Sequence, residues 1–320
     1  MKFTKRLTHP SIFGLLLLLG VFLPVTHVQA QSATMYKLNI KSPKDLQQFF
    51  AYSPDRIPFV SAHRGGARRG FPENCIATFE NTLKHVHATM EIDPRLTKDG
   101  VIVLMHDATL ERTTNGTGRV EDFTYEELKK LKLKDPEGTV TAYGIPTLDE
   151  ALQWAKGKTV LFIDNKKAVP WEMTEQKIRQ HGAEAYAMVI AYSFEEAQNY
   201  HARNKDIMME VFIPNRERLA AFDQSGVPWK NVVAFIAHAK SEDKELYGLI
   251  HQRGAMCMIG SGRIYDKEFT AGNKGVYEEM IREGADVIEA DLAIEAGQAL
   301  AKLAPAKSSK RKFFGKTMVN

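Results

Sequence analysis

Between Phe59 and Glu289 the chain repeats one pattern: a short apolar run, then a longer segment whose apolar positions recur every three or four residues. The runs predict strands at Phe59–His63, Thr89–Asp93, Val101–His106, Val160–Asp164, Tyr186–Tyr192, Ile207–Ile213, Val232–His238, Ala255–Ile259 and Asp286–Glu289. Between many of them lie helix-like segments such as ENTLKHVHA, TLDEALQWAKG, SFEEAQNYHARN and DKELYGLIHQRG, the last closed by Gly254. Alternating strand and helix predicts a parallel sheet with helices outside it. Nine strands are one more than a closed eight-stranded barrel uses. Asp99-Gly100, a tight-reversal signal, offers the segment after Asp93 as the surplus, a hairpin-like excursion. A doubly wound open sheet is the alternative, although no Gly-rich dinucleotide fingerprint follows any strand.

The two ends depart from this pattern. Lys2, Lys5 and Arg6 precede an apolar run of 14 residues, IFGLLLLLGVFLPV, and VQA supplies small residues before Gln31. This is the pattern of a cleavable export signal over residues 1–30, cut near Ala30-Gln31, and it predicts a secreted or periplasmic protein. The run is short for a membrane span, which needs about 20 residues. The other end, residues 301–320, carries six basic residues and no acidic one. It reads as a disordered basic tail, so membrane contact is expected only from the export segment or from this tail.

Charge changes the picture once the ends are set aside. The formal net charge is +4. Residues 1–30 hold three basic side chains and no acidic one, so the 270 residues between the two ends hold 34 basic and 39 acidic side chains. A net negative body excludes a nucleic-acid binder by charge. Only Cys75 and Cys257 are present, which gives no disulfide framework and predicts two free, buried thiols. Oligomeric state is not legible.

Parallel sheets carry chemistry at the carboxyl ends of their strands. Here the first predicted strand ends in His63-Arg64, the second in Glu91-x-Asp93, the third in His106-Asp107 and the fourth in Asp164-x-Lys166. A lone strand-end histidine is commonly structural and a lone Glu-x-Asp a solvated face, but four successive charged strand ends point to a site. Residues two apart share a strand face, so Glu91 and Asp93 converge on one side, as do Asp164 and Lys166. Three carboxylates without a cysteine suit a hard divalent cation, Ca²⁺ or Mg²⁺. His63 and His106 are then free to exchange protons near neutrality. A cation with Arg64 and Lys166 is a setting for a phosphate oxyanion, so the set reads as phosphoryl chemistry. His181, His201, His238 and His251 read as structural or surface residues.

The segments HRGGARRGFPEN, EIDPRLTKDGVIVLMHDATLERTTNGTG, IPTLDEAL and LFIDNK resemble the glycerophosphodiester phosphodiesterases in order and spacing. The likeness runs from about Phe59 to Asp291. It implies a TIM-type (β/α)8 barrel, here one domain over residues 31–300, that hydrolyses glycerophosphodiesters to sn-glycerol 3-phosphate and an alcohol. It further implies His63 and His106 as general acid and base, Glu91, Asp93 and Asp164 as ligands of one divalent cation (Ca²⁺ before Mg²⁺), and Arg64, Lys166 and Glu73 as substrate contacts. The resemblance also has departures. Asp164 stands where the family usually has Glu, Cys75 where it has Thr, and EADLAIEA keeps Asp291 but loses a proline. Two other readings keep the same residues: a lyso-phospholipid or sphingolipid phosphodiesterase, and a non-catalytic phosphodiester-binding protein.

Overall fold

Twelve strands appear in the computed structural model, which describes residues 1–4, 33–166, 168–239 and 241–319. They are β1 (Ala33–Leu38), β2 (Phe59–Ala62), β3 (Ala88–Ile92), β4 (Pro94–Leu96), β5 (Ile102–Leu104) and β6 (Leu161–Ile163). After these come β7 (Ala187–Ala191), β8 (Met208–Phe212), β9 (Val232–Phe235), β10 (Cys257–Gly260), β11 (Val287–Ala290) and β12 (Phe314–Val319). Strands β2, β3, β6, β7, β8, β9, β10 and β11 close in that order into a barrel, every pair parallel. The expected (β/α)8 barrel is therefore present. The ninth expected strand is β5, which turns back antiparallel onto β4 through Asp99-Gly100 and stays outside the barrel. Gly100 takes φ +79, a left-handed conformation that favours glycine, so the reversal was legible in the sequence. The expected export segment lies outside the described residues, apart from its first four.

The strands divide their side chains between two faces with period two. Leu161, Ile163, Met209, Val211, Val232 and Ala234 point out to the helices and belong to the outer core. Their neighbours Phe162, Met208, Val233 and Phe235 point inward and pack with Phe59, Met188, Met258 and Val287 inside the barrel. Leu46, Phe49 and Phe50, from the helix Pro43–Phe50, join the inner cluster. Phe49 packs tilted against Phe59 at 4.9 Å and Phe50 edge-to-face against Phe162 at 5.7 Å, so this helix plugs the amino-terminal mouth. Among the described residues the carboxyl mouth has no such plug, and there the inward positions turn polar.

Local signals explain the helix starts. Thr147 and Glu150 form a reciprocal capping box at the helix Leu148–Ala155, with Thr147 N donating to Glu150 Oε2 at 2.7 Å. Ser193 accepts from Glu196 N at 3.0 Å at the start of Phe194–Arg203. Cys75 and Cys257 are both free and buried, as expected.

The basic tail corrects an expectation. Residues 311–319 are ordered, and β12 pairs antiparallel with β1 along its length, from Leu38 against Phe314 to Ala33 against Val319. The reason is apolar: Phe313 is buried against Phe49 at 5.6 Å and belongs to the inner core cluster. Lys310 is also buried, its Nζ donating to the carbonyl oxygens of Gln48 and Ala51, the latter at 2.6 Å. Charge counting missed a strand whose anchoring contacts are aromatic and lie far away in sequence. Phe313→Ala is expected to destabilise the fold by roughly 3–5 kcal/mol, read from denaturant unfolding.

Candidate active site

The carboxyl mouth holds a cavity of about 720 Å³. His63, Arg64, Glu91, His106, Asp164 and Lys166 all line it, so residues spread over a hundred positions of sequence meet there. Asp93 is buried beside them. Glu73 does not line the cavity. It stands behind Arg64, accepting from Arg64 Nη1 at 3.2 and 3.3 Å and from Arg112 at 2.7 and 2.8 Å. The expected substrate contact is thus held as a buttress between two arginines.

The turn after β2 sets the first side of the site. Arg64 takes φ 52, ψ 28, and Gly65 follows at φ +85. Left-handed backbone at a non-glycine residue is uncommon and collects at functional sites. It lets Arg64 N donate to Glu91 Oε2 at 2.7 Å. A side chain at Gly65 would bring its Cβ to 2.3 Å from Phe79 Cδ1, so this close approach of turn and helix admits only glycine. Asn74, also left-handed at φ 53, bonds twice to Asp93 just past the end of β3: Nδ2 donates to Asp93 Oδ2 at 2.7 Å, and Asp93 N donates to Asn74 Oδ1 at 2.9 Å.

Oxygens of Glu91, Asp93 and Asp164 lie within 4.8 Å of one another. Burial raises the Glu91 carboxyl well above its ordinary range, and the adjacent Asp93 charge adds to the rise. Burial acts the same way on Asp93, but the charges of Lys166 and His106 and hydrogen bonds from Lys166 and Asn74 hold that group low. Lys166 Nζ contacts Asp93 Oδ1 at 2.7 Å and also bonds to Asp164. Burial would discharge this lysine, yet the two carboxylates outweigh it and hold the ammonium charged. Three crowded, buried, all-oxygen donors that already draw an ammonium fit a hard divalent cation, so the residues present suit the expected metal.

Both imidazoles are fixed through Nδ1. His63 Nδ1 lies 2.6 Å from Asp291 Oδ1, and His106 Nδ1 lies 2.8 Å from Asp107 Oδ1. This leaves each Nε2 as the nitrogen available for proton exchange. Asp107 is held by Arg112 at 2.6 and 3.0 Å, and Arg112 by Glu73, so one ionic chain ties His106 to Arg64 across the mouth. Hydrogen bonding from Arg112 and His106 keeps Asp107 ionised to low pH despite partial burial.

Burial alone would lower the His63 pKa, but the Asp291 hydrogen bond and the charges of Glu91 and Glu289 outweigh it and raise it to about 10. The folded value is above the ordinary 6.5, so the stabilisation from this pair is complete below pH 6.5 and is lost as pH rises through about 10. In metal-free protein His63 is expected to titrate near pH 10 by NMR. Asp291→Asn, or a divalent cation that neutralises Glu91, is expected to lower that value; an unmoved titration in both would refute this account of its origin.

Several residues of the mouth were left without a role by the sequence. Asp291 partners His63, and Asp107 partners His106. His238, expected to be structural, lines the cavity, as do Tyr192, Glu210 and Glu289. The available signal was alternation. Met208, Glu210 and Phe212 share the inward face of β8, and Val287 and Glu289 share that of β11, with Asp291 two residues further on. A glutamate inside an otherwise apolar buried strand marks such a position.

A closed parallel barrel with this mouth belongs to the class of barrel phosphodiesterases, enzymes that act on phosphoric diesters. The chain belongs to the glycerophosphoryl diester phosphodiesterase family, whose model matches residues 63–254. It is 32% identical over 239 residues to a glycerophosphodiester phosphodiesterase of Caldanaerobacter subterraneus subsp. tengcongensis, spanning 72% of this chain and 93% of that one. The crystal structure of a glycerophosphoryl diester phosphodiesterase from Parabacteroides distasonis superposes with a TM-score of 0.86 at 46% identity, covering 88% of this chain and all of that one. An Oleispira antarctica phosphodiesterase, solved with its product sn-glycerol-3-phosphate, shares the fold at a TM-score of 0.54 and 24% identity, covering 76% of this chain and 97% of that one.

Proposed function

We propose that the chain hydrolyses glycerophosphodiesters to sn-glycerol 3-phosphate and an alcohol, with one divalent cation held by Glu91, Asp93 and Asp164. The observation that carries this reading is the convergence of those three carboxylates, two carboxylate-oriented histidines, Arg64 and Lys166 on one cavity of an enzyme of this family. Product capture by the Oleispira relative, with the same fold, supports the choice of product. The cation, when bound, would supply Lewis-acid polarisation of the phosphate, and Ca²⁺, whose coordination geometry is flexible, suits this all-oxygen donor set better than Mg²⁺.

The chain's own groups divide the remaining work. Arg64 and Lys166 bind the phosphate oxygens and stabilise charge that grows on them. Asp291 favours the imidazolium of His63, which gives its Nε2 proton to the departing alcohol oxygen. His106, oriented by Asp107, takes at Nε2 the proton of the glycerol hydroxyl beside the phosphate as that oxygen bonds phosphorus and the alcohol leaves. Water then opens the cyclic phosphate, giving a proton to His63 while His106 returns one to the glycerol oxygen. Glu73, clamped by Arg112, fixes Arg64 and limits its motion.

The test is an assay of purified protein against choline, ethanolamine, glycerol and inositol diesters of glycerol 3-phosphate. Chelator is expected to abolish product release and added Ca²⁺ to restore it more fully than Mg²⁺. Full activity in chelator would remove the metal from the mechanism, and no hydrolysis of any diester would remove the reading itself.

A further inference from the structure

We infer that the wall of the cavity facing away from the histidines is a subsite for a cationic alcohol group, so that the preferred substrates are glycerophosphodiesters of an alkylammonium alcohol. The inference rests on the phosphodiesterase reading above.

Strand register builds the subsite. Ile190 on β7 pairs with Glu210 on β8, and Ala191 with Val211, which brings Tyr192 beside Phe212. On the other flank Glu210 pairs with Val233 of β9 and Phe212 with Phe235. Tyr192, Phe212 and Phe235 therefore form a continuous aromatic row at the carboxyl ends of three adjacent strands. Their ring centroids are 5.3 and 5.0 Å apart, the first pair stacked. Glu210 lies two residues below Phe212 on the same inward face and lines the same cavity.

Glu210 is an independent sign of a ligand. It is 1% exposed, and its Oε2 has no hydrogen-bonding partner among the described residues. A buried carboxyl without a partner is costly unless something pairs with it. Aromatic faces above a carboxylate form the environment that recognises quaternary and primary ammonium groups. Arg263 and Lys267 also reach the cavity, but both are exposed and their charges are screened by water, whereas Glu210 and Glu289 are buried.

Position matches the substrate. Tyr192 Oη donates to Asp164 Oδ1 at 2.6 Å, so the aromatic row begins at the carboxylate cluster that faces the phosphate. An alcohol departing from that phosphate projects along the row.

The experiment compares kcat/KM for glycerophosphocholine and glycerophosphoglycerol on the full chain with added Ca²⁺, and measures choline binding by calorimetry. The intact protein is expected to favour the choline diester by about tenfold. Glu210→Gln, which keeps shape and removes charge, and Phe212→Leu are each expected to cut that ratio at least about threefold and to weaken choline binding. Circular dichroism verifies that each variant is folded. A ratio near one in the intact protein, or one that Glu210→Gln leaves in place, overturns the subsite. Hydrolysis of neither diester would instead sink the phosphodiesterase reading. Choline binding then decides: binding weakened by Glu210→Gln supports the subsite, and absent binding overturns it.

Discussion

His106→Ala is expected to reduce release of sn-glycerol 3-phosphate by about 10²–10⁴-fold while the barrel stays folded, and His63→Ala to do the same. Both side chains stand at the cavity on β-strand or hairpin ends, and neither belongs to the apolar clusters that hold the barrel. Their removal deletes proton transfer without opening a core void. The double variant is expected to lose little more than either single one, because an acid and a base that serve one displacement act as a unit. Steady-state rates with circular dichroism check this. Near-native turnover in either folded variant would end the acid/base assignment. Asp291→Asn and Asp107→Asn should each have a smaller effect, since they orient a ring without carrying the proton.

Glu91→Gln has the second largest expected effect, and its sign differs between stability and activity. In metal-free protein Glu91 is buried among like charges, with its pKa raised by desolvation and by Asp93. Neutralising it removes repulsion while the amide oxygen can still accept from Arg64 N, so the metal-free variant is expected to be more thermostable than the parent. Divalent cation should stabilise the parent and shift the variant little, because one of three charged donors is gone. Turnover is expected to fall about 10³-fold, in line with several kcal/mol of charge stabilisation at the phosphate. Thermal unfolding with and without Ca²⁺ reads the first two effects independently of catalysis. A variant that gains as much from Ca²⁺ as the parent would place the cation elsewhere.

The barrel was legible because its strands are buried on both faces and each is followed by a helical segment. The Asp99-Gly100 reversal identified the extra strand, and β4 and β5 bear it out by pairing outside the barrel. Strand-end residues His63, Glu91, Asp93 and Asp164 could be read as a set because parallel strands deliver their carboxyl ends to one mouth, whereas His106 reaches it from the end of the β4–β5 hairpin outside the barrel. The tail was misread for a physical reason. Six basic residues suggested a solvated chain, whereas the deciding contacts are Phe313 against Phe49 and the pairing of β12 with β1, which lies more than 270 residues away.

Sequence by itself determined which side chains sit at the strand ends, the alternation that turns them inward, and hence the kind of chemistry the mouth can perform. Tertiary structure decided what each of those groups faces. Asp291 reaches His63 only because β11 closes against β2, and Glu73 accepts from Arg64 and Arg112 rather than lining the cavity. The aromatic row of Tyr192, Phe212 and Phe235 above Glu210 exists only through the register of β7, β8 and β9. Hydrogen-bond partners and electrostatic neighbours depend on distances between remote segments. Local pattern fixes a residue's face, and only barrel closure fixes its company.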